Sequence, residues 1–204
     1  MAVGDSVPEA FQFDFDRLMH DARACRVCEP LLPLGARPIF QAHSPARILI
    51  ASQAPGRIAH RSGIPFQDPS GRRLRDWLDI DEAVFYDPEQ VAILPMGFCY
   101  PGRGTRGDRA PRPECAPMWR EAFLQHMNAV RLVLLIGRHA QRWHLGRTRG
   151  SVAFLARSWL EAPGPVIPLP HPSPRNNAWL CRHAWFENWM LPVIRERLAM
   201  ALET

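Results

Sequence analysis

Short apolar runs alternate along the chain with longer stretches whose apolar residues recur every three or four positions, a pattern that predicts an α/β architecture. Four runs read as strands: Arg47 to Ala51, Val91 to Leu94 closed by Pro95, Arg131 to Ile136, and Val166 to Leu169. The third is the most hydrophobic. A strand apolar on both faces belongs in the middle of a sheet covered by helices. Helical periodicity marks Phe11 to Cys25, Ser70 to Leu78 with Ser70 as N-cap, Glu114 to Val130, Arg138 to His144, and Ala184 to Leu202 with a kink expected at Pro192. Within Glu114 to Val130, the residues Ala116, Trp119, Phe123 and Met127 fall on one face and read as core. The fold class expected is a three-layer α/β/α sandwich around a four-stranded parallel sheet.

Parallel strands joined by crossover helices bring the loops after their C-terminal ends to one edge of the sheet, where α/β proteins place ligands. Two motif-bearing loops are expected there, Ser52-Gln-Ala-Pro-Gly56 after the first strand and His171-Pro-Ser-Pro-Arg-Asn176 after the last. The 204 residues show no repeat and no low-complexity linker, and suit a single domain over 1–204 with a substantial core. Met1 to Pro8 has no basic segment followed by an apolar run, and no stretch approaches the ~18 apolar residues of a membrane span. A soluble cytoplasmic monomer with no membrane partner is expected.

A composition of 47% hydrophobic and 22% charged residues is ordinary, while 21 prolines imply a loop-rich surface. The net charge of +5 comes almost wholly from arginine, whose planar fork suits phosphate. Arg57, Arg61, Arg72 and Arg73 flank the first motif, and Arg103, Arg106 and Arg109 crowd the loop before Cys115. These arginines form either a phosphate track or a scattered solvated surface. No dinucleotide or phosphate-binding glycine loop is present, and Ser173 lies in no nucleophile elbow.

Five cysteines in such a chain suggest a metal site plus one spare thiol rather than disulfides. Cys25 and Cys28 form a close pair, with Cys99 and Cys115 far downstream. Four thiolates can ligate an iron-sulfur cluster or a zinc ion, although two-loop zinc sites usually draw close pairs from both sides. Free thiols are the remaining alternative. Cys181 fits no pattern and is expected to be a buried helical thiol.

The cysteine spacing resembles that of the family 4, thermophile-type uracil-DNA glycosylases, in which these residues hold a [4Fe-4S] cluster. Ser52 to Gly71 resembles the first motif of the uracil-DNA glycosylase superfamily, with Gly63-Ile-Pro-Phe66 and Gly71 in matching positions. The His-Pro-Ser-Pro run at His171 resembles its second motif, and the continuation into Arg-Asn is most similar to the single-strand-selective monofunctional enzymes. The resemblance implies a uracil-DNA glycosylase-like fold, a [4Fe-4S] cluster on Cys25, Cys28, Cys99 and Cys115, and DNA containing a damaged base as partner.

The implied roles follow position by position. Phe66 stacks on a flipped base in a pocket bounded by Ala54, Pro55, Gly56 and Met96, or else is one more core aromatic. His171 donates a hydrogen bond to the carbonyl oxygen of the leaving base. Ser173, Arg175, Asn176 and Arg57 contact DNA, with Arg175 and Asn176 as probes of the stack or the phosphates.

Three positions depart from the family pattern. Gln53 stands in place of the family 4 glutamate, and a glutamine orients water without taking its proton. Ala54 replaces a water-activating aspartate or asparagine. Pro95 occupies the place of the asparagine that reads the uracil amide edge, which leaves discrimination among bases to other groups such as the Met96 and Gly97 backbone. Asp68 is then the first candidate to activate water, with helix capping its competing role, and His60 is the second. The function expected is a monofunctional glycosylase acting on uracil, hypoxanthine or xanthine. The rival is a DNA-binding module that has lost catalysis; an iron-sulfur electron carrier leaves the second motif unexplained.

Overall fold

The computed structural model describes residues 9–105, 107–146 and 150–203, and the side chains from 14 onward. Met1 to Pro8 and Arg106 therefore lie outside the described residues. The parallel sheet has the order β2-β1-β5-β6, built from β1 (Ile48–Ala51), β2 (Val91–Ile93), β5 (Leu132–Ile136) and β6 (Val166–Leu169). A two-residue hairpin, β3 (Arg103–Gly104) with β4 (Gly107–Asp108), stands apart from it. The α/β class and the central place of β5 are as the sequence predicts.

Strand alternation sorts the side chains to two faces. Ile48, Ile50, Leu134 and Ile167 pack under α3 (Pro69–Leu78), α4 (Glu82–Tyr86), α7 (Val152–Glu161) and α9 (Leu191–Leu202). Leu49, Ala92 and Leu94 meet Phe15 of α1 (Glu9–Ala24) and Phe123 of α5 (Cys115–His126), while Leu135 meets Ala140 of α6 (Gly137–His144). The outer edge of β2 is closed by Gln41, which exchanges backbone bonds with Ile93 and donates its amide to the carbonyls of Phe85 and Val91.

Several elements depart from expectation. The cap of α3 is Asp68, two residues earlier than Ser70, because its carboxylate accepts the Gly71 N–H at 2.9 Å. α5 ends at His126, with Met127 as its C-cap residue. The C-terminal helix breaks at a π-helical stretch over Phe186–Met190, while Pro192 sits in the first turn of α9, where it lacks no needed donor. α8 (Asn177–Arg182) presents Cys181 as an exposed thiol rather than a buried one. Trp119 is only partly buried. No helix among the described residues is long and apolar enough to cross a membrane.

A buried cation ties three elements together. Arg120 of α5 donates to Leu94 O at 2.9 Å and to His144 Nε2 at 2.8 Å, and Gln141 of α6 donates to Leu135 O and Leu169 O. Burial lowers the Arg120 pKa to about 10. Burial first, and Arg120 second, lower that of His144 from 6.5 to about 4.

Below pH 6.5 the unfolded chain takes up a proton on His144 that the folded chain refuses until about pH 4, so stability is lost on acidification across that window. Burial lowers His60, His139 and His171 in the same direction. His144→Gln keeps an acceptor for Arg120 without titrating. Its melting temperature should fall less steeply than that of the wild type between pH 7 and pH 4; parallel slopes would refute the linkage.

Candidate active site

The first motif leaves β1 at Ser52 and turns into α2 (Arg57–Ser62), with Gly56 as an extended N-cap residue. Gly63 ends that helix in the left-handed region, and the chain then runs through Pro65 and Phe66 to the Asp68 cap. Phe66 itself has φ of 55°, a conformation uncommon for a bulky residue. The following helix enforces it, since the Phe66 carbonyl lies where a side chain on Gly71 would stand, 1.6 Å from an ideal Cβ. Arg75 pairs with Glu82 at 2.6 Å and donates to the Tyr86 hydroxyl, which donates to Pro65 O at 3.1 Å. Phe66 meets Phe85 edge to face at 6.1 Å while also lining the cleft, so it is both core aromatic and pocket wall.

The second motif follows β6. Ser173 N–H donates to His171 Nδ1 at 3.1 Å, so the proton of a neutral ring sits on Nε2. Burial lowers the His171 pKa against the opposing pull of Asp68 and Asp108, which keeps the ring neutral near pH 7. Asn176 Nδ2 holds His171 O at 2.6 Å, and Arg73 donates to Ser173 O and Pro172 O. Neither side chain is an outward probe: Asn176 is turned into the loop, and Arg73 is drawn off the expected phosphate track because these carbonyls need donors. Ser173 Oγ caps the short turn through Arg175 N. Gly137, at φ of 77°, lies beside the imidazole.

Both motifs open on one cleft of about 600 Å³, lined by Gln53, Ala54, Pro55, Gly56, Phe66 and Asp68 from the first and by His171, Ser173, Arg175 and Asn176 from the second. Pro95 also lines it. Met96 does not: its side chain packs in the core with Ala51 and Leu135. The N–H groups of Met96 and Gly97 bond Ser52 O and Gln53 O, so neither is left to read a base. Gln53 Nε2 bonds Arg109 O at 3.2 Å. Arg57 is exposed at the start of α2, outside the cleft lining, and His60 is outside it too, its ring against Tyr100.

Among the cleft residues outside the motifs, Asp108, Arg138 and His139 carry titratable side chains. Asp108 is the single acid between Gly97 and Pro113, an arginine-rich loop, and that isolation was its signal in the sequence. Arg138 and His139 follow β5, whose C-terminal end shares the ligand-binding edge.

Beyond the cleft, Cys25, Cys28, Cys99 and Cys115 line one small pocket with Phe98, Met118 and Trp119. Burial raises Cys99 to about 11 and Cys115 to about 12, helped by the neighbouring thiols; it also raises Cys28, with Glu114 adding to the shift. These thiols need the positive charge of a metal to release their protons. Phe98 N–H points at Cys115 Sγ, 3.3 Å away, and the buried Trp119 Nε1 has no hydrogen-bond partner. The four-sulfur donor set in an apolar pocket fits soft thiolate ligation of iron. Among the described residues, no group of three or more His, Cys, Asp or Glu side chains is arranged to hold a single metal ion.

Residues 40–194, well over half of the chain, match the family model of the uracil DNA glycosylase superfamily. The match spans both motifs, Cys99 and Cys115, and begins after Cys25 and Cys28.

The capping role of Asp68 can be tested by itself. Asp68→Asn keeps a capping oxygen, whereas Asp68→Ala removes it and should lose about 1 kcal/mol in urea unfolding. Equal stability of the two variants would show that the cap contributes nothing.

Proposed function

Because the chain belongs to the uracil DNA glycosylase superfamily, we propose that it is a monofunctional DNA glycosylase that hydrolyses the N-glycosidic bond of a deaminated base flipped out of DNA. The observation that carries this reading is the neutral His171, with its Nδ1 engaged by Ser173 and its Nε2–H left for a ligand in the cleft that Phe66 and Asp68 share. A neutral donor fixed before the reaction stabilises charge as it develops on the base carbonyl without reorganising.

Phe66 supplies a stacking face for any base, and its strained carbonyl packing on Gly71 holds the ring in place. Asp68 uses Oδ1 as the helix cap, and its other oxygen orients the attacking water and accepts its proton. Gln53 gives up its amide nitrogen to Arg109 and takes no proton. Arg175 and Ser173 at the cleft, together with Arg57 outside it, contact phosphates. Uracil is the default substrate. Pro95 in the cleft wall and the engaged N–H groups of Met96 and Gly97 leave the amide edge of the base weakly read, which favours a range that includes hypoxanthine and xanthine.

Cys25, Cys28, Cys99 and Cys115 would hold a [4Fe-4S] cluster, cross-linking the end of α1, the loop after β2 and the start of α5. Anaerobically purified protein should contain iron and acid-labile sulfide; stoichiometric zinc without iron would overturn the assignment. The absence of a base from the Ser52 to Gly56 turn favours, as a second reading, a glycosylase-fold protein that binds DNA without cleaving it.

Alkali-induced strand cleavage on single- and double-stranded oligonucleotides carrying uracil, hypoxanthine or xanthine separates the two readings. Wild type should excise at least one of these bases, and His171→Ala should lose activity by about a hundredfold or more. No excision from any substrate, with salt-sensitive DNA binding intact, would establish the non-catalytic module.

A further inference from the structure

The loop whose ends are Cys99 and Cys115 returns to the active-site cleft. Its β3–β4 hairpin is closed by the Arg109 N–H bond to Gly102 O at 2.8 Å, and it docks on the first motif through Gln53 Nε2 and Arg109 O. Asp108, the last residue of the hairpin, is exposed on the cleft wall. Tyr100 donates to its Oδ1 at 3.4 Å. A methyl group built on Gly56 would stand 3.7 Å from Asp108 Oδ2 and 3.8 Å from Asp68 Oδ2. Each carboxylate thus commits one oxygen to the fold, and the two remaining oxygens both lie within 3.8 Å of a single point over Gly56. Both act electrostatically on His171, so the three groups share one site.

Two carboxylate oxygens with room between them can hold a water by both of its hydrogens, which turns its lone pair toward a third direction. Paired carboxylates serve glycosidic hydrolysis in this way, by orienting water and opposing the positive charge that builds on the sugar. We propose that Asp108 is a second catalytic carboxylate, which holds the attacking water jointly with Asp68. The assignment rests on the glycosylase reading above. As the water oxygen bonds to C1′, the C1′–N bond breaks and its electron pair leaves on the base, whose carbonyl oxygen accepts the His171 Nε2–H. One water proton passes to the carboxylate pair and from there to the departed base. The residue that completes the site is then carried by the segment that supplies two of the four cysteines, and the Ser52 to Gly56 turn needs no base because the carboxylates stand on two other loops.

The test is single-turnover excision and DNA affinity for wild type, Asp108→Asn, Asp68→Asn, the double variant and Tyr100→Phe. Asp108→Asn keeps an acceptor for Tyr100. It should lower the excision rate by about tenfold to a hundredfold while binding DNA as tightly as wild type or more tightly, since a negative charge has left a DNA-facing surface. Tyr100→Phe should stay within about threefold of wild type. The double variant should lose less than the product of the single losses, because both carboxylates hold one water. An Asp108→Asn rate within about threefold of an active wild type would overturn the assignment and leave the glycosylase reading standing. A wild type inactive on every substrate would remove both. Equal losses in Asp108→Asn and Tyr100→Phe would reduce Asp108 to an anchor for Tyr100.

Discussion

The pairing of β1 with β5, Ile48 to Ala51 against Leu132 to Leu135, is the constraint from which the site follows. These two strands lie inside the sheet, between β2 and β6, with helices on both faces. Their backbone polar groups have no water to turn to, so each must find a partner in the ladder. A parallel register obliges the strands to end at the same edge, and the chain cannot leave that edge except through loops. Both motifs, the hairpin carrying Asp108 and the α6 residues Arg138 and His139 meet there for that reason.

The loop of the second motif shows how a proline-rich segment is kept in one conformation without regular structure. Its prolines offer no donors, so its carbonyls are answered by side chains: Arg73 reaches Pro172 O and Ser173 O from outside, and Asn176 reaches His171 O from within the loop. Among the described residues, the donation to the imidazole comes from the Ser173 amide, and that bond decides which nitrogen carries the proton. The polar residues of the loop are therefore divided by task, with most of them supporting one ring. An arginine count alone could not reveal that Arg73 belongs to this support rather than to a surface.

The sheet was legible because its strands are short, apolar and bounded by prolines, glycines or charges. Arg131 to Ile136 stands out on hydrophobicity, and its central position follows from having no polar face. The short helices α2 and α4 and the helix α7 were not legible: α2 carries Arg57, His60 and Arg61 with a single buried residue, Ala59, and so lacks an apolar stripe. The π-helical stretch over Phe186–Met190 contains no proline or glycine to mark it, whereas Pro192 drew attention to the turn after it. In the site, that His171, Phe66 and Asp68 meet at one edge could be expected from the motifs that carry them. Asp108 could not, since its approach to Gly56 depends on a hairpin of two-residue strands and on a tertiary bond from Gln53. The cap role of Asp68 was visible only as one of two options until Gly71 was seen to donate to it.

The order of the strands also bears on how the chain reaches this state. β1 waits for β5, which waits for β6, and the cover that α3, α4 and α7 give the first face of the sheet stays incomplete until Leu191, Ile194 and Leu198 arrive from α9. Arg47, just before β1, is bonded to Leu202 O at the far end of the chain, and Arg195 reaches back to Trp77 O. Contacts of such sequence separation make closure slow, and a partly synthesised chain presents unpaired parallel edges and apolar faces to its surroundings. A ribosome that stalls before α9 emerges would thus release a chain whose first face lacks one of its covering helices, and cellular quality control would meet it as an aggregation-prone fragment rather than as a smaller folded unit.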